Sequence, residues 1–459
     1  MAGVGFALRR LAQQDTLTAG VRAYAHAAVI SSGPWLLTIL ALGGVDLIGR
    51  GLLEPEALRR FSLVVIYNFA FSLVTTGPIV MVVTRRLADM IHAREAAEAP
   101  GMFLGGLAVV LALQSAIGLA FYGFAVDMRL AERVLAVVGF QLVGGIWLAA
   151  AFLSALKSYG TVSASFALGM GCGFLGAALL APAHGVLGML FGFTAGLLVL
   201  FFALAARILA EYPGPALRPF AFLGEVRRYW EFALVGLLYN AAIWVDKWIM
   251  WLGPGQLTTA GAMPSNPAYD GAMFLAYLTI VPAMAVFLLA VETRFFERYL
   301  RFYRAIEAHA TFAEIAENHR GILRELGEGL RNLAVLQGVV CYLAMLVAPG
   351  LVGMAQGGVE MVSIFRFGAL GAMFHLLLLA VMVVVAYFDV RRLLLSIAAV
   401  FLVLNAGLTL GALQLGLGYS GYGYCAAALL TLVYAYSMTA SHILRLPYMT
   451  FVGNNRGLR

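Results

Sequence analysis

Between Trp230 and Trp251 the sequence reads WEFALVGLLYNAAIWVDKWIMW. The stretch is about 22 residues long and apolar enough to cross a bilayer core as a helix. It also carries Asn240, Asp246, Lys247 and four tryptophans. Lys247 is one of only two lysines in the chain, Lys157 being the other, against 28 arginines. An unpaired charge at mid-bilayer costs at least about 3 kcal/mol even on insertion scales. At helical spacings of four, three and four residues, Asn240, Trp244, Lys247 and Trp251 share one face, and Asp246 lies on another. Hydrogen-bond donors alternating with flat indoles suit a sugar, which offers hydroxyls at its rim and CH faces for stacking. The same residues also suit an interfacial aromatic belt, with Lys247 snorkelling to the headgroups about six residues from the helix end. On the sequence alone both readings stand.

A second candidate is Ser31-Ser32-Gly33-Pro34-Trp35. Pro34 cannot donate to the helix ladder, so Ser31 and Ser32 either satisfy the carbonyl it leaves or face a cavity beside Trp35. Other polar groups expected at membrane depth are His26, Asp46, Asn68, Gln114, Gln141, Gln337, Arg366, His375 and Asn405. Each is a functional candidate and equally a partner for an interhelical hydrogen bond worth about 0.6–2 kcal/mol. Catalytic signatures are missing: neither lysine follows a glycine as a phosphate-binding loop requires, and no zinc spacing or nucleophile elbow occurs. Cys172, Cys341 and Cys425 lie far apart in apolar runs and read as small buried hydrophobes. No catalytic residue, metal or cofactor is expected.

The elements that must hold these residues follow from composition. The chain is 62 % hydrophobic and 12 % charged, with a mean hydropathy of +0.91, which specifies an all-α integral membrane protein. About twelve transmembrane helices are expected, near 27–49, 61–84, 101–124, 133–154, 162–181, 185–207, 230–251, 271–291, 332–354, 362–387, 393–414 and 419–442. A hydrophilic linker at about 208–229 divides two halves of six spans, 1–228 and 229–459. Residues 1–22 open the first half as an interfacial segment. The second half contains a non-membrane insertion at about 292–331, where Arg294, Arg298, Arg301 and Arg304 alternate with Phe295, Tyr299 and Phe302, as in an amphipathic interfacial helix. With both termini cytoplasmic, 23 Lys/Arg lie inside and six outside, leaving Lys247 in the membrane, so 253–270 is expected outside and 292–331 inside. The arginines flank spans and do not gather into one basic surface, so no nucleic-acid partner is expected. The halves also echo one another: Val21-Arg22-x-Tyr24 with Val226-Arg227-x-Tyr229, and Thr75-x-x-Pro78 with Thr279-x-x-Pro282, at an offset of about 204–205 positions. Because six is even, such a repeat is parallel.

MAGVGFALRRL at the start, ISSGPW at Ile30–Trp35, YNAAIWVDKW at Tyr239–Trp248 and TRFFERYLRFYRAI at Thr293–Ile306 together resemble the Pel-type exopolysaccharide exporters of the bacterial inner membrane. The resemblance covers the whole chain, and that family is itself similar to the multidrug/oligosaccharidyl-lipid/polysaccharide exporter superfamily. It implies two six-helix bundles around a central cavity that opens alternately to each side. It implies an N-acetylgalactosamine-rich polysaccharide substrate in a lipid bilayer. It also implies a complex with a cytosolic glycosyltransferase and membrane scaffold proteins, one of them a cyclic di-GMP sensor. The resemblance assigns no site residues; by their own types and spacing Asn240, Trp244, Lys247, Trp251, Asp246, Ser31, Ser32 and Trp35 are the substrate-pathway candidates. Arg294, Phe295, Arg298, Tyr299 and Phe302 are candidates for docking a partner. Two other functions fit the same spans: a non-conducting subunit that anchors and activates a synthase, and a small-molecule/cation antiporter.

Overall fold

The computed structural model describes residues 17–93, 96–155, 159–354, 357–416 and 420–453; the expected interfacial segment before Leu17 and the Lys157 turn lie outside these. Helices α1 (Leu17–Leu52), α2 (Pro55–Ala93), α3 (Ala99–Gly118, continued by a wider turn to Ala125), α4 (Leu130–Ala155), α5 (Tyr159–Glu211) and α6 (Trp230–Met250) come first. A two-stranded hairpin, β1 (Leu257–Thr259) with β2 (Met263–Ser265), follows them. Then come α7 (Pro267–Leu278), α8 (Val281–Ala290), α9 (Phe296–Glu307), α10 (Phe312–Met354), α11 (Val359–Tyr387), α12 (Arg391–Leu415) and α13 (Tyr422–Leu444). Eleven helical segments are long and apolar enough to cross a membrane. The longest, α5, has 53 residues, about twice what one crossing needs. It turns back at Gly185, whose φ of 59° and ψ of −137° are not helical and cost little only without a Cβ. The two arms then touch backbone to backbone: a Cβ on Gly192 would lie 2.2 Å from the carbonyl carbon of Gly176. Each arm of α5 is by itself long enough for one crossing.

The chain packs as two compact units, Ser32–Pro267 and Ala268–Arg459, the second together with the segment up to Ser31. The packed division thus falls after Pro267, whereas the hydrophilic linker points to 228/229. α6 goes with the helices before it because it buries one face along α2, through contacts described below.

In the unit Ser32–Pro267, α2 is the central helix, buried at Phe61, Val64, Val83 and Leu87. Buried polar groups tie it to its neighbours. Asn68 Nδ2 donates to the Ala136 carbonyl at 3.1 Å and Asn68 Oδ1 accepts from the Tyr122 hydroxyl at 2.8 Å. Trp147 Nε1 donates to Ser72 Oγ at 3.0 Å. Alternate connections meet at opposite ends of this unit. At one end the hairpin carbonyl of Ala260 accepts from the Asp127 amide at 2.8 Å. There Thr258 and Thr259 border an open cavity of about 740 Å³ with Glu54, Pro55, Glu56 and Arg59. At the other end Arg86 pairs with Glu225 at 3.6 Å, and the Tyr229 hydroxyl donates to Asp89.

In the other unit, α11 packs on α10 and α13. His375 Nδ1 on α11 lies 2.9 Å from the Tyr424 hydroxyl on α13. α10 begins with a reciprocal cap: the Thr311 amide donates to Glu314 Oε2 at 3.1 Å, and the Glu314 amide donates to Thr311 Oγ1 at 3.3 Å, satisfying two amides that a helix start leaves over. α9 folds back on the first half of α10. Phe295, Phe302, Ile315 and Ile322 form a buried cluster there with Ile443, near the end of α13, and Leu446 just beyond it. His319, also buried, lies 2.8 Å from the Ile443 carbonyl.

Candidate substrate-pathway site

α6 has no β-branched run or proline and is helical from Trp230 to Met250. Its close approach to α2 is set by two glycines: a Cβ on Gly236 would sit 2.5 Å from the Gly77 carbonyl oxygen, and the reverse is equally tight. One turn on, Asn240 Nδ2 donates to the Leu73 carbonyl at 3.0 Å. Further along the same face Trp251 stacks on Tyr67 with ring centroids 5.0 Å apart and planes 8° from parallel. Trp248 stacks on Phe71 at 5.3 Å and 1°. Tyr67 in turn donates its hydroxyl hydrogen to the Pro264 carbonyl at 2.7 Å, fastening the hairpin over this seam.

The face grouped by helical spacing is therefore in large part the packing face of α6 on α2. Asn240 and Trp251 are engaged there, and Trp251 is only 3 % exposed. Lys247 does not extend outward as snorkelling requires. It is buried, its Nζ 3.2 and 3.1 Å from the two carboxylate oxygens of Asp246 and 3.1 Å from the Ile243 carbonyl of its own helix. Asp246, fully buried, thus offsets the charge of its neighbour within a membrane-length helix. Trp244 is half-buried, with Lys247 Nζ 5.7 Å from its ring centre and the Trp251 ring 6.5 Å away. Trp35 on α1 is 38 % exposed; Ser31 and Ser32 belong to α1, and their side chains lie outside the described residues.

Tyr67 and Phe71 carry much of this seam, and sequence reading did not single them out. Aromatic residues within an apolar span give no signal of which neighbour they stack on. The docking candidates divide by exposure. Phe295 and Phe302 are buried in the α9–α10 cluster and Tyr299 packs against it, whereas Arg294 and Arg298 are exposed. An amphipathic helix can bury its apolar side in lipid or in its own protein, and here it does the second. Tyr303, on the same side, has its hydroxyl pushed up to about 12, mainly by burial and then by neighbouring Tyr299, so it stays neutral at any physiological pH. Among the described residues no three His, Cys, Asp or Glu side chains gather as a metal site.

This mainly helical architecture, with its many membrane-length helices, is shared with transporters of known structure. An outward-facing multidrug resistance MATE family transporter of the MOP superfamily is 16 % identical, with 98 % of this chain and 99 % of that chain covered and a TM-score of 0.64. An inward-facing transporter of that family is 15 % identical, with 92 % and 99 % covered and a TM-score of 0.64. A MOP superfamily transporter from Pyrococcus furiosus, described as having a binding pocket of reverse polarity, is 15 % identical, with 92 % and 96 % covered and a TM-score of 0.65. Within that class the sequence is more specific: residues 1–451 match the model of PelG, the exopolysaccharide exporter (EPS-E) family, and the chain belongs to that family. No curated protein matches it in sequence.

Proposed function

We propose that this protein moves an exopolysaccharide, or its lipid-linked precursor, outward across the bacterial cytoplasmic membrane, and that the substrate is a Pel-like polymer rich in N-acetylgalactosamine. The observation that carries this reading is the family match over residues 1–451. Both termini and the 292–331 insertion face the cytoplasm and the 257–265 hairpin faces outward, a sidedness supported by the arginine distribution. Trp244, half-buried and beside the Lys247 ammonium, offers the substrate a stacking plane next to a donor. Asn240, Asp246 and Trp251 hold α6 so that this plane is presented, and Ser31, Ser32 and Trp35 contribute from α1. The exposed Arg294 and Arg298 dock the cytosolic glycosyltransferase, with membrane scaffold proteins and a cyclic di-GMP sensor completing the complex. The α9–α10 hairpin favours a second reading, because a cytoplasmic element with its own buried cluster also suits a subunit that anchors and activates a synthase without conducting polymer. A photo-crosslinking residue at position 244 separates the two. Adducts with nascent polymer support export, and their absence alongside adducts from position 298 to the synthase supports anchoring alone.

A further inference from the structure

The Thr-x-x-Pro echo of the two halves has a counterpart in the packing of each. In the unit Ser32–Pro267, Thr75 and Pro78 lie within α2, and the neighbouring helix α3 supplies Gln114. Its Nε2 donates to Thr75 Oγ1 at 2.8 Å, while the Thr75 hydroxyl donates back to the Phe71 carbonyl at 2.7 Å. In the other unit, Thr279 and Pro282 lie at the α7–α8 junction, and α10 supplies Gln337, whose Nε2 donates to the Thr279 carbonyl at 3.3 Å. Both glutamines are fully buried, and the Oε1 of each has no hydrogen-bond partner. Gln114 lies on the third membrane crossing and Gln337 on the third crossing of the second half, so they occupy equivalent places in the repeat.

The two sites differ in one respect. α2 is unbroken through Pro78. The α7–α8 helix is interrupted: the Thr279 and Ile280 amides pair three residues back, with Ala276 and Tyr277, before α8 resumes at Val281. Pro78 and Pro282 have no N–H for the carbonyls of Val74 and Leu278, which weakens the ladder at the same point in each half. Where the helix is continuous the glutamine takes the threonine hydroxyl; where it is interrupted the glutamine takes the threonine carbonyl that has left the ladder. We infer that Gln114–Thr75–Pro78 and Gln337–Thr279–Pro282 are two copies of one hinge, seen straight in the first half and open in the second, and that each glutamine is a positioning residue holding whichever state is present. The buried, unpartnered Oε1 is what remains when one amide must serve both states. That the hinge is used in export rests on the proposed function; that it is a hinge does not.

The test is double electron–electron resonance on full-length protein in nanodiscs, with Cys172, Cys341 and Cys425 replaced. Spin labels at Ile66 and Ala88, about 33 Å apart at 1.5 Å per residue, span the first hinge. Labels at Phe274 and Ala290, about 24 Å apart on the same rule, span the second. Pro282→Ala restores an N–H for Leu278 and is expected to move the second pair to its longer, straight-helix distance. Gln337→Leu is expected to shift the ratio of open to straight by about three- to thirty-fold, the worth of one interhelical hydrogen bond in a membrane. Gln114→Leu should alter the first pair and leave the second unchanged. Polymer secretion, scored at equal protein abundance, should fall in all three variants. Distances unchanged in both Pro282→Ala and Gln337→Leu would overturn the hinge. Distances that shift while secretion stays at wild type would overturn its use in export. Shifted distances in a protein whose deletion leaves secretion intact would remove the export reading and leave the hinge standing.

Discussion

Replacing Asp246 by Asn removes one charge from a fully buried side chain and keeps its shape. Lys247, a residue only 7 % exposed, then loses a carboxylate whose two oxygens lie 3.1 and 3.2 Å from its Nζ. Breaking a buried ion pair by removing one partner costs about 3–5 kcal/mol, against about 0–1 kcal/mol for a pair at a wet surface. The burial of both groups places Asp246→Asn in the first class. The remaining amide oxygen and the Ile243 carbonyl at 3.1 Å still accept from Nζ, so the low end of that range, about 3 kcal/mol, is expected. Removing both charges, as Asp246→Asn with Lys247→Met, should restore most of the loss, because the penalty belongs to the stranded charge and not to the missing pair. The assay is the fraction of monodisperse protein after heating in detergent, followed by fluorescence-detected chromatography, with abundance checked by blot. A single Asp246→Asn variant as heat-stable as wild type, or a double variant no better than the single, would refute the reasoning.

Further outcomes are expected elsewhere. Gly236→Val should lower abundance through overpacking of about 1–3 kcal/mol or more, since its Cβ would lie 2.5 Å from the Gly77 carbonyl oxygen; normal abundance would mean that α6 and α2 can separate at no cost. Phe302→Ser empties a buried aromatic site at about 3–5 kcal/mol and should expose the α9–α10 hairpin to limited proteolysis. Arg298→Glu, at an exposed position, should change stability by no more than about 0.5 kcal/mol while reducing recovery of the proposed glycosyltransferase partner in a pull-down; full recovery would remove Arg298 from the proposed docking surface. A cysteine at Thr258 should react with an impermeant maleimide in intact spheroplasts, and one at Ala310 only after permeabilisation. Labelling of position 310 from outside would invalidate the assigned sidedness.

Much of the architecture is written in hydropathy, because a bilayer demands about 20 apolar residues for each helical crossing. The two arms of α5 show this: apolar runs near 162–181 and 185–207 are legible in hydropathy, and the chain reverses where they meet, at Gly185, with a left-handed φ of 59°. What hydropathy cannot supply is the identity of a helix's neighbour. Asn240, Trp244, Lys247 and Trp251 do share a face, yet spacing alone could not say that α2 would cover Asn240 and Trp251. The same gap separates the reading of α9 as a lipid-facing helix from the burial of Phe302, and of Phe295 just before it, against α10. Gln114 and Gln337 were visible as polar residues at membrane depth, and the Thr-x-x-Pro echo was visible as a repeat. Their connection was not, since donor and acceptor sit on different helices far apart in sequence.

Export itself is best tested in inverted membrane vesicles that contain the proposed glycosyltransferase partner and are supplied with radiolabelled nucleotide sugar. If the protein carries polymer outward, vesicles containing it should accumulate glycosidase-protected polymer in the lumen, and vesicles with Trp244→Ala should accumulate less at equal protein abundance. Equal amounts of protected polymer in vesicles with and without the protein would contradict export by this chain.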